Sequence, residues 1–355
     1  MSVYLDNAST TKIDNMVLAE MLPYLKENYG NASSLHSLGR KSRQAIEHAR
    51  EQVAKSINAE PNQIFFTSGS TESNNWIISN FNHVLCSKVE HHSILNNPKC
   101  NPITFDNLAN TIHKQRPDLV THMYVNNETG QIYNIKEMAE ICHKMKVPFH
   151  SDCTQAFSHI PIDVKILNVD SMSLSGHKFH APKSVGILYL KEPDKYKPML
   201  YGGSQEKHLR AGTENVAGIV GMGKACELYN YDLKTDEYVL NLKIHLMDFI
   251  TNNISNVMIN SPLETTVSNI LNVSFKGIEG ESLMLMLDRA GICVSSGSAC
   301  NSGSLEPSHV LKNMGVPDDY IYGTVRFSFS KFNTLEEIIE TENVLKKTVE
   351  KLRSN

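Results

Sequence analysis

The sequence predicts an α/β protein, with a large domain built on a mostly parallel, mixed sheet flanked by helices and a smaller α+β domain beside it in the chain. Short β-rich runs alternate with helical stretches up to about Asn230, and beyond that point longer helices with few strands take over. At 355 residues the chain also exceeds what one hydrophobic core comfortably serves. The expected boundaries are 14–230 for the large domain, and 1–13 with 231–355 for the small one.

The first clear element is a helix over Ser37 to Ile57. Ile46, Ala49, Val53 and Ile57 recur at steps of three and four with charges between them, which places the helix on the outside of a sheet. A strand at Gln63–Thr67 then leads into a helix from about Thr71. A strand at Met123–Val125 precedes a helix over Ile135–Lys146, and Val147–Asp152 reads as the next strand. The stretch DSMSLSGHKFHAPKSVGILYL runs a strand into the polar turn SGHK and on to another strand at Val185–Leu190. In the second part, Ser268–Phe275 and Thr324–Ser328 read as strands. The last helix opens with Thr334 and Glu337 in capping-box spacing and carries Ile338, Leu345, Val349 and Leu352 as one apolar stripe.

Composition excludes several classes. The hydrophobic fraction of 41% and charged fraction of 20% are those of a globular chain. A formal net charge of -4, from 38 acids and 34 bases spread along the sequence, offers no basic patch to a nucleic acid. No signal-like amino terminus and no membrane-length apolar run is visible, so a cytoplasmic location without membrane contact is expected. Seven cysteines with no CxxC pair argue against a disulfide framework and against a structural metal site, and most read as small buried hydrophobes.

Chemistry concentrates at three places. Lys178 ends the SGHK turn and is held by rigid elements on both sides, as a lysine that condenses with an aldehyde must be. Asp152 ends a strand 26 positions earlier, with Gln155 three residues on. A carboxylate so placed suits a pyridine nitrogen that must stay protonated. The run FFTSGSTESNN passes from a strand through a small polar turn into a helix, where free N–H groups and the hydroxyls of Ser70 and Thr71 suit a phosphate. Each feature alone has a plainer reading: a surface lysine, a turn residue, a helix cap.

Together with their neighbours these segments resemble one family. The ordered set YLDNASTT, GNASSLH, FTSGSTESNN, VEHHSI, VNNETG, SDCTQ, SGHK, RAGTEN and SSGSAC is similar to the cysteine desulfurases of the NifS and IscS type, which belong to the fold-type I, class V aminotransferase superfamily. The matching motifs run from residue 4 to about residue 340. The resemblance implies pyridoxal 5'-phosphate as cofactor, with Lys178 as the Schiff-base lysine, Asp152 on the ring nitrogen and Gln155 on the phenolic oxygen. It implies that His91 stacks on the ring and shuttles protons, while the adjacent His92 is structural. Phosphate would be held by Ser70, Thr71, Ser175 and His177, and by Thr213 reaching from a partner subunit, which makes the protein a homodimer. Asn127 would lie beside cofactor and substrate, and Arg326 would bind the carboxylate of the L-cysteine substrate.

Cys300 lies in ICVSSGSACNSGSLEPSHVL, a run of Ser and Gly with few bulky side chains that reads as a mobile loop. The resemblance makes Cys300 the thiolate that takes the sulfur as a persulfide, leaves L-alanine, and passes the sulfur to an acceptor protein for iron-sulfur clusters, tRNA thiolation or DNA phosphorothioation. Cys293 reads instead as a buried strand residue. Against the family pattern, the segment between His91 and Asn127 is compressed where an extra strand and helix are usual, and the tail that docks an iron-sulfur scaffold is short. The rival readings are a selenocysteine lyase or other class V aminotransferase, and a non-catalytic protein of the same fold.

Overall fold

The computed structural model describes residues 2–296 and 307–354. The strands, in chain order, are β1 (Val3–Tyr4), β2 (Ile64–Thr67), β3 (Val84–Ser87), β4 (Cys100–Ile103), β5 (Leu119–Thr121) and β6 (Phe149–Asp152). They continue with β7 (Ser171–Ser175), β8 (Gly186–Leu190), β9 (Val257–Ile259), β10 (Ile270–Phe275), β11 (Ile292–Cys293) and β12 (Thr324–Ser328). The helices begin with α1 (Asn15–Lys26), α2 (Ser37–Ser56), α3 (Ser70–Ser79), α4 (His92–Leu95), α5 (Leu108–Gln115) and α6 (Ile135–Lys144). They end with α7 (Val164–Leu167), α8 (Val216–Leu228), α9 (Leu233–Asn253), α10 (Gly280–Arg289), α11 (His309–Asn313), α12 (Asp318–Ile321) and α13 (Leu335–Arg353).

The chain divides into two compact units. One comprises Thr11–Tyr124 and Tyr133–Tyr231; the other comprises Met1–Thr10, Val125–Ile132 and Asp232–Asn355. The first unit holds a seven-stranded sheet in the order β2-β8-β7-β6-β5-β3-β4. Strand β8 runs antiparallel to both neighbours and the other pairs are parallel, so the sheet is mixed but mostly parallel. Strands β2, β3, β6, β7 and β8 are buried along their whole length, the pattern of a sheet covered on both faces. Helix α2 buries Ile46, Ala49 and Val53 as its period requires.

The other unit has a three-stranded antiparallel sheet, β12-β10-β9, and the short parallel pair β1-β11. Its core joins Val239, Leu242, Leu246 and Ile250 of α9 and Leu283 and Leu287 of α10 to the buried side chains of β10 and β12. Helix α13 adds Ile338, Leu345 and Val349, and the Thr334–Glu337 capping box is closed in both directions. The segment 125–132 lies inside the stretch expected for the large domain, yet it packs in this unit. Val267 donates its N–H to the Gly130 carbonyl (3.0 Å), the Ser261 hydroxyl donates to Thr129 O (2.7 Å), and Asn272 Nδ2 donates to Glu128 O (3.1 Å).

Three local expectations are corrected. The strand expected at Met123–Val125 is Leu119–Thr121, because Met123 gives its N–H to the Glu90 carboxylate (2.6 Å) instead of to a neighbouring strand. The compressed segment retains both a strand and a helix, as β4 and α5. They escape a pattern reading because β4 is a half-exposed edge strand containing Pro102 and α5 has eight residues. Cys293 is in a strand but only half-buried; four of the other described cysteines, Cys86, Cys142, Cys153 and Cys226, are buried. Among the described residues no helix is long and apolar enough to cross a membrane.

Candidate active site

The strand ends of the first unit bring the sequence candidates together. Cross-strand register places Asp152 of β6 beside Ser173 of β7, and Ser175, Gly186 and Thr67 in one row across β7, β8 and β2. Asp152, Ser175 and Thr67 are each the last residue of their strand, so the site sits at the carboxyl edge of the parallel strands, where open α/β sheets bind ligands.

Thr67 leads through Gly69 into α3. Gly69 has φ +153° and lies so close to β8 that a side chain at Gly186 would meet its backbone at 2.6 Å. A Cβ on Gly69 would point to within 3.4 Å of Ser175 Oγ. Among the described residues no side chain caps this helix. Its first N–H groups, the half-buried Ser70 and the exposed Thr71 therefore form an open cradle beside Ser175.

After β7 the chain makes a single tight turn, Gly176–Lys178. Gly176 is required by packing, since a Cβ there would lie 2.9 Å from Ala181 and 3.0 Å from Met222. Thr11 ties the turn down, donating its N–H (2.8 Å) and hydroxyl (3.0 Å) to the His177 carbonyl. His177 and Lys178 are half-buried. Burial, with Lys178 and Lys183 nearby, pushes the His177 ring down to about 4, so this imidazole is neutral. Gln155 is buried in the turn that follows β6.

The Asp152 carboxylate is buried and held on both oxygens: Thr154 N–H donates to Oδ1 (3.0 Å) and Asn74 Nδ2 to Oδ2 (2.7 Å). Asn74 went unassigned in the sequence. It is fully buried and also donates to Ser93 Oγ (2.9 Å), while its Oδ1 accepts from Ser173 Oγ (2.6 Å) and pairs with His150 Nε2 (3.1 Å). Burial pushes His150 down to about 4 against the pull of Asp152. His91 caps α4, and its Nδ1 accepts from the Ser93 N–H (3.1 Å) and lies 2.9 Å from Ser93 Oγ. One signal for the missed residues was in the sequence: His150 and Asp152 share a strand face, as do Ser171, Ser173 and Ser175, a polar row in strands otherwise buried.

Thr213 is exposed, and no hydrogen bond joins it to the cluster among the described residues. Cys300 lies outside the described residues.

The second unit holds Asn127 and Arg326. Arg326 is 2% exposed; Nη1 donates to Asn127 O (2.6 Å), and Nη2 to Asp6 Oδ1 (3.1 Å) and Ser9 Oγ (2.6 Å). Three of the five N–H donors are thus taken by the protein, and Nε is buried with no partner among the described residues.

Residues 3–340 match the aminotransferase class-V family. The chain belongs to that family. A cysteine desulfurase IscS of Methanosarcina thermophila is 42% identical, covering 99% of this chain and 93% of the relative. A solved NifS-like protein superposes with a TM-score of 0.90 at 34% identity, over 100% of both chains. The solved structure of SspA in complex with cysteine gives a TM-score of 0.82 at 29% identity, covering 94% of this chain and 100% of that one. The chain is accordingly a pyridoxal-phosphate-dependent enzyme of fold-type I. Its residues fit that cofactor, with an uncapped helix start for the phosphate, a buried carboxylate for the ring nitrogen and a lysine fixed by a packed turn.

Proposed function

We propose that the protein is a cysteine desulfurase, which removes the sulfur of L-cysteine, leaves L-alanine and holds the sulfur as a persulfide on Cys300 for an acceptor protein. The observation that carries the reading is the juxtaposition of Asp152, Ser175 and the uncapped α3 start at one sheet edge, in a chain 42% identical to a cysteine desulfurase over nearly its whole length.

In this reading Lys178 holds the cofactor through its amine, Asp152 sits on the ring nitrogen and Gln155 on the phenolic oxygen. Ser70, Thr71, Ser175 and His177 take the phosphate. When bound, pyridoxal phosphate supplies an electron sink for the substrate's α-carbon. Lys178 and His91 move the proton at that carbon. Arg326 meets the substrate carboxylate with the two N–H donors that remain, one of them on Nε, which has no partner among the described residues, and Asn127 lies beside it. Cys300 as thiolate forms a bond to the substrate sulfur while the carbon–sulfur bond breaks; the electron pair stays on carbon, which takes a proton to become the methyl group of alanine.

A homodimer completes the reading, with Thr213 reaching a partner's phosphate. Two features support it: Thr213 is exposed, and Leu18, Leu22 and Leu25 line one side of α1 at 38%, 40% and 59% exposure, an apolar stripe that a second copy would cover. We also propose a cytoplasmic location, supported by the described cysteines, all of which are free thiols. Borohydride reduction of the purified enzyme tests the lysine assignment: it should fix the cofactor covalently on the peptide containing Lys178, and Lys178→Ala should retain none. Full activity in that variant would overturn the reading.

A further inference from the structure

We propose that Asn74 is a positioning residue of the cofactor site, locking the Asp152 carboxylate and, through Ser93, the His91 ring into one hydrogen-bonded unit. The inference rests on the reading of Asp152 and His91 given above and adds a residue to it.

An ionised carboxylate only accepts hydrogen bonds, so the atom of Asn74 that lies 2.7 Å from Asp152 Oδ2 is the amide nitrogen. That orientation turns the carbonyl oxygen toward Ser173 Oγ and His150 Nε2, both of which must donate. His150 therefore carries its proton on Nε2, and its Nδ1 accepts from Ser171 Oγ at 2.9 Å. The second amide proton goes to Ser93 Oγ, which leaves the Ser93 hydroxyl proton for His91 Nδ1. With the Ser93 N–H on the same atom, Nδ1 is an acceptor, and the neutral His91 ring keeps its proton on Nε2. One side chain on α3 thus fixes the direction of a carboxylate on β6 and, through the Ser93 hydroxyl, reinforces the tautomer that the Ser93 N–H sets on the histidine capping α4. All four of its hydrogen-bonding positions are used, with 0% of its surface exposed.

Asn74→Asp keeps the shape but has at most one proton to donate where two are needed. It also puts a second carboxyl group against Asp152, and two carboxylates in contact do not both ionise. Asn74→Leu removes both donors at similar volume. For each variant we expect pyridoxal phosphate to bind about tenfold more weakly or worse, as for a lost hydrogen bond to a charged group. The pH at which the bound cofactor's absorbance changes should also move. Ser93→Ala cuts only the His91 arm, so its cofactor affinity and spectral titration should match the wild type while the pH profile of turnover changes. A folded Asn74→Asp or Asn74→Leu protein that binds and titrates like the wild type would overturn the proposal. Asp152→Ala is the control: if it too binds and titrates normally, the cofactor role of Asp152 fails, and the role of Asn74 falls with it.

Discussion

Lys243 offers a stability test with a definite sign. It lies on α9 at 0% exposure, and its Nζ donates to Thr266 Oγ1 (2.8 Å) and Val267 O (2.8 Å), neither of them charged. Burial lowers its pKa to about 8, against a smaller opposing pull from Asp236. An unfolded lysine titrates near 10.4, so the unfolded chain binds this proton more tightly than the folded one. The charged form therefore costs the folded state about 3 kcal/mol, in full below pH ~8 and falling to nothing as the pH rises through about 10.5. Lys243→Met removes the titration. Its loss of two hydrogen bonds offsets the curve by a constant amount without changing the slope. Urea unfolding of both proteins between about pH 7 and pH 10.5 gives the difference, and subtraction cancels the other groups that titrate there. The stability of the variant relative to wild type should fall by about 3 kcal/mol across that range. Parallel curves would refute the reasoning. The site bears on function because Val267 donates to Gly130 O in the segment that carries Asn127.

Two further outcomes follow from buried charge and from the shared site. Arg50 and Glu206 form a fully buried two-point ion pair (2.8 Å for each contact), and Glu206 also accepts the Phe66 N–H (2.8 Å) in the strand that leads to the phosphate cradle. Arg50→Met strands that carboxylate and should cost about 3–5 kcal/mol, seen as a lower melting temperature, whereas adding Glu206→Gln should restore most of it. In sedimentation the protein should run as a dimer; a fully active monomer would rule out a shared Thr213.

The legible parts of the chain were those where period and chemistry agree. Buried runs such as Gly186–Leu190, the 3.6-period helix from Ser37 and the Thr334–Glu337 box declare themselves locally. Asp152, Ser175 and Lys178 stand at element ends, where turn residues mark them out. The end of β5 was not legible, because Met123 is claimed by the Glu90 carboxylate, 33 residues away in sequence. The same holds for 125–132, whose partners lie beyond residue 260. Asn74 was hidden for a related reason. In ESNN it is one of two adjacent asparagines on a helix, and only the fold shows that Asn74 is buried against Asp152 while Asn75 bonds back to Thr71 O.

The central claim is that this chain desulfurates cysteine through Cys300. The direct measurement is peptide mass analysis of the enzyme after reaction with L-cysteine, made alongside a count of the alanine released. We predict one added sulfur on the peptide containing Cys300, alanine formed in step with it, and no alanine from Cys300→Ser, while Cys293→Ser turns over normally. Alanine forming at the wild-type rate with the sulfur on Cys293, on Cys153 or on no cysteine would contradict the account.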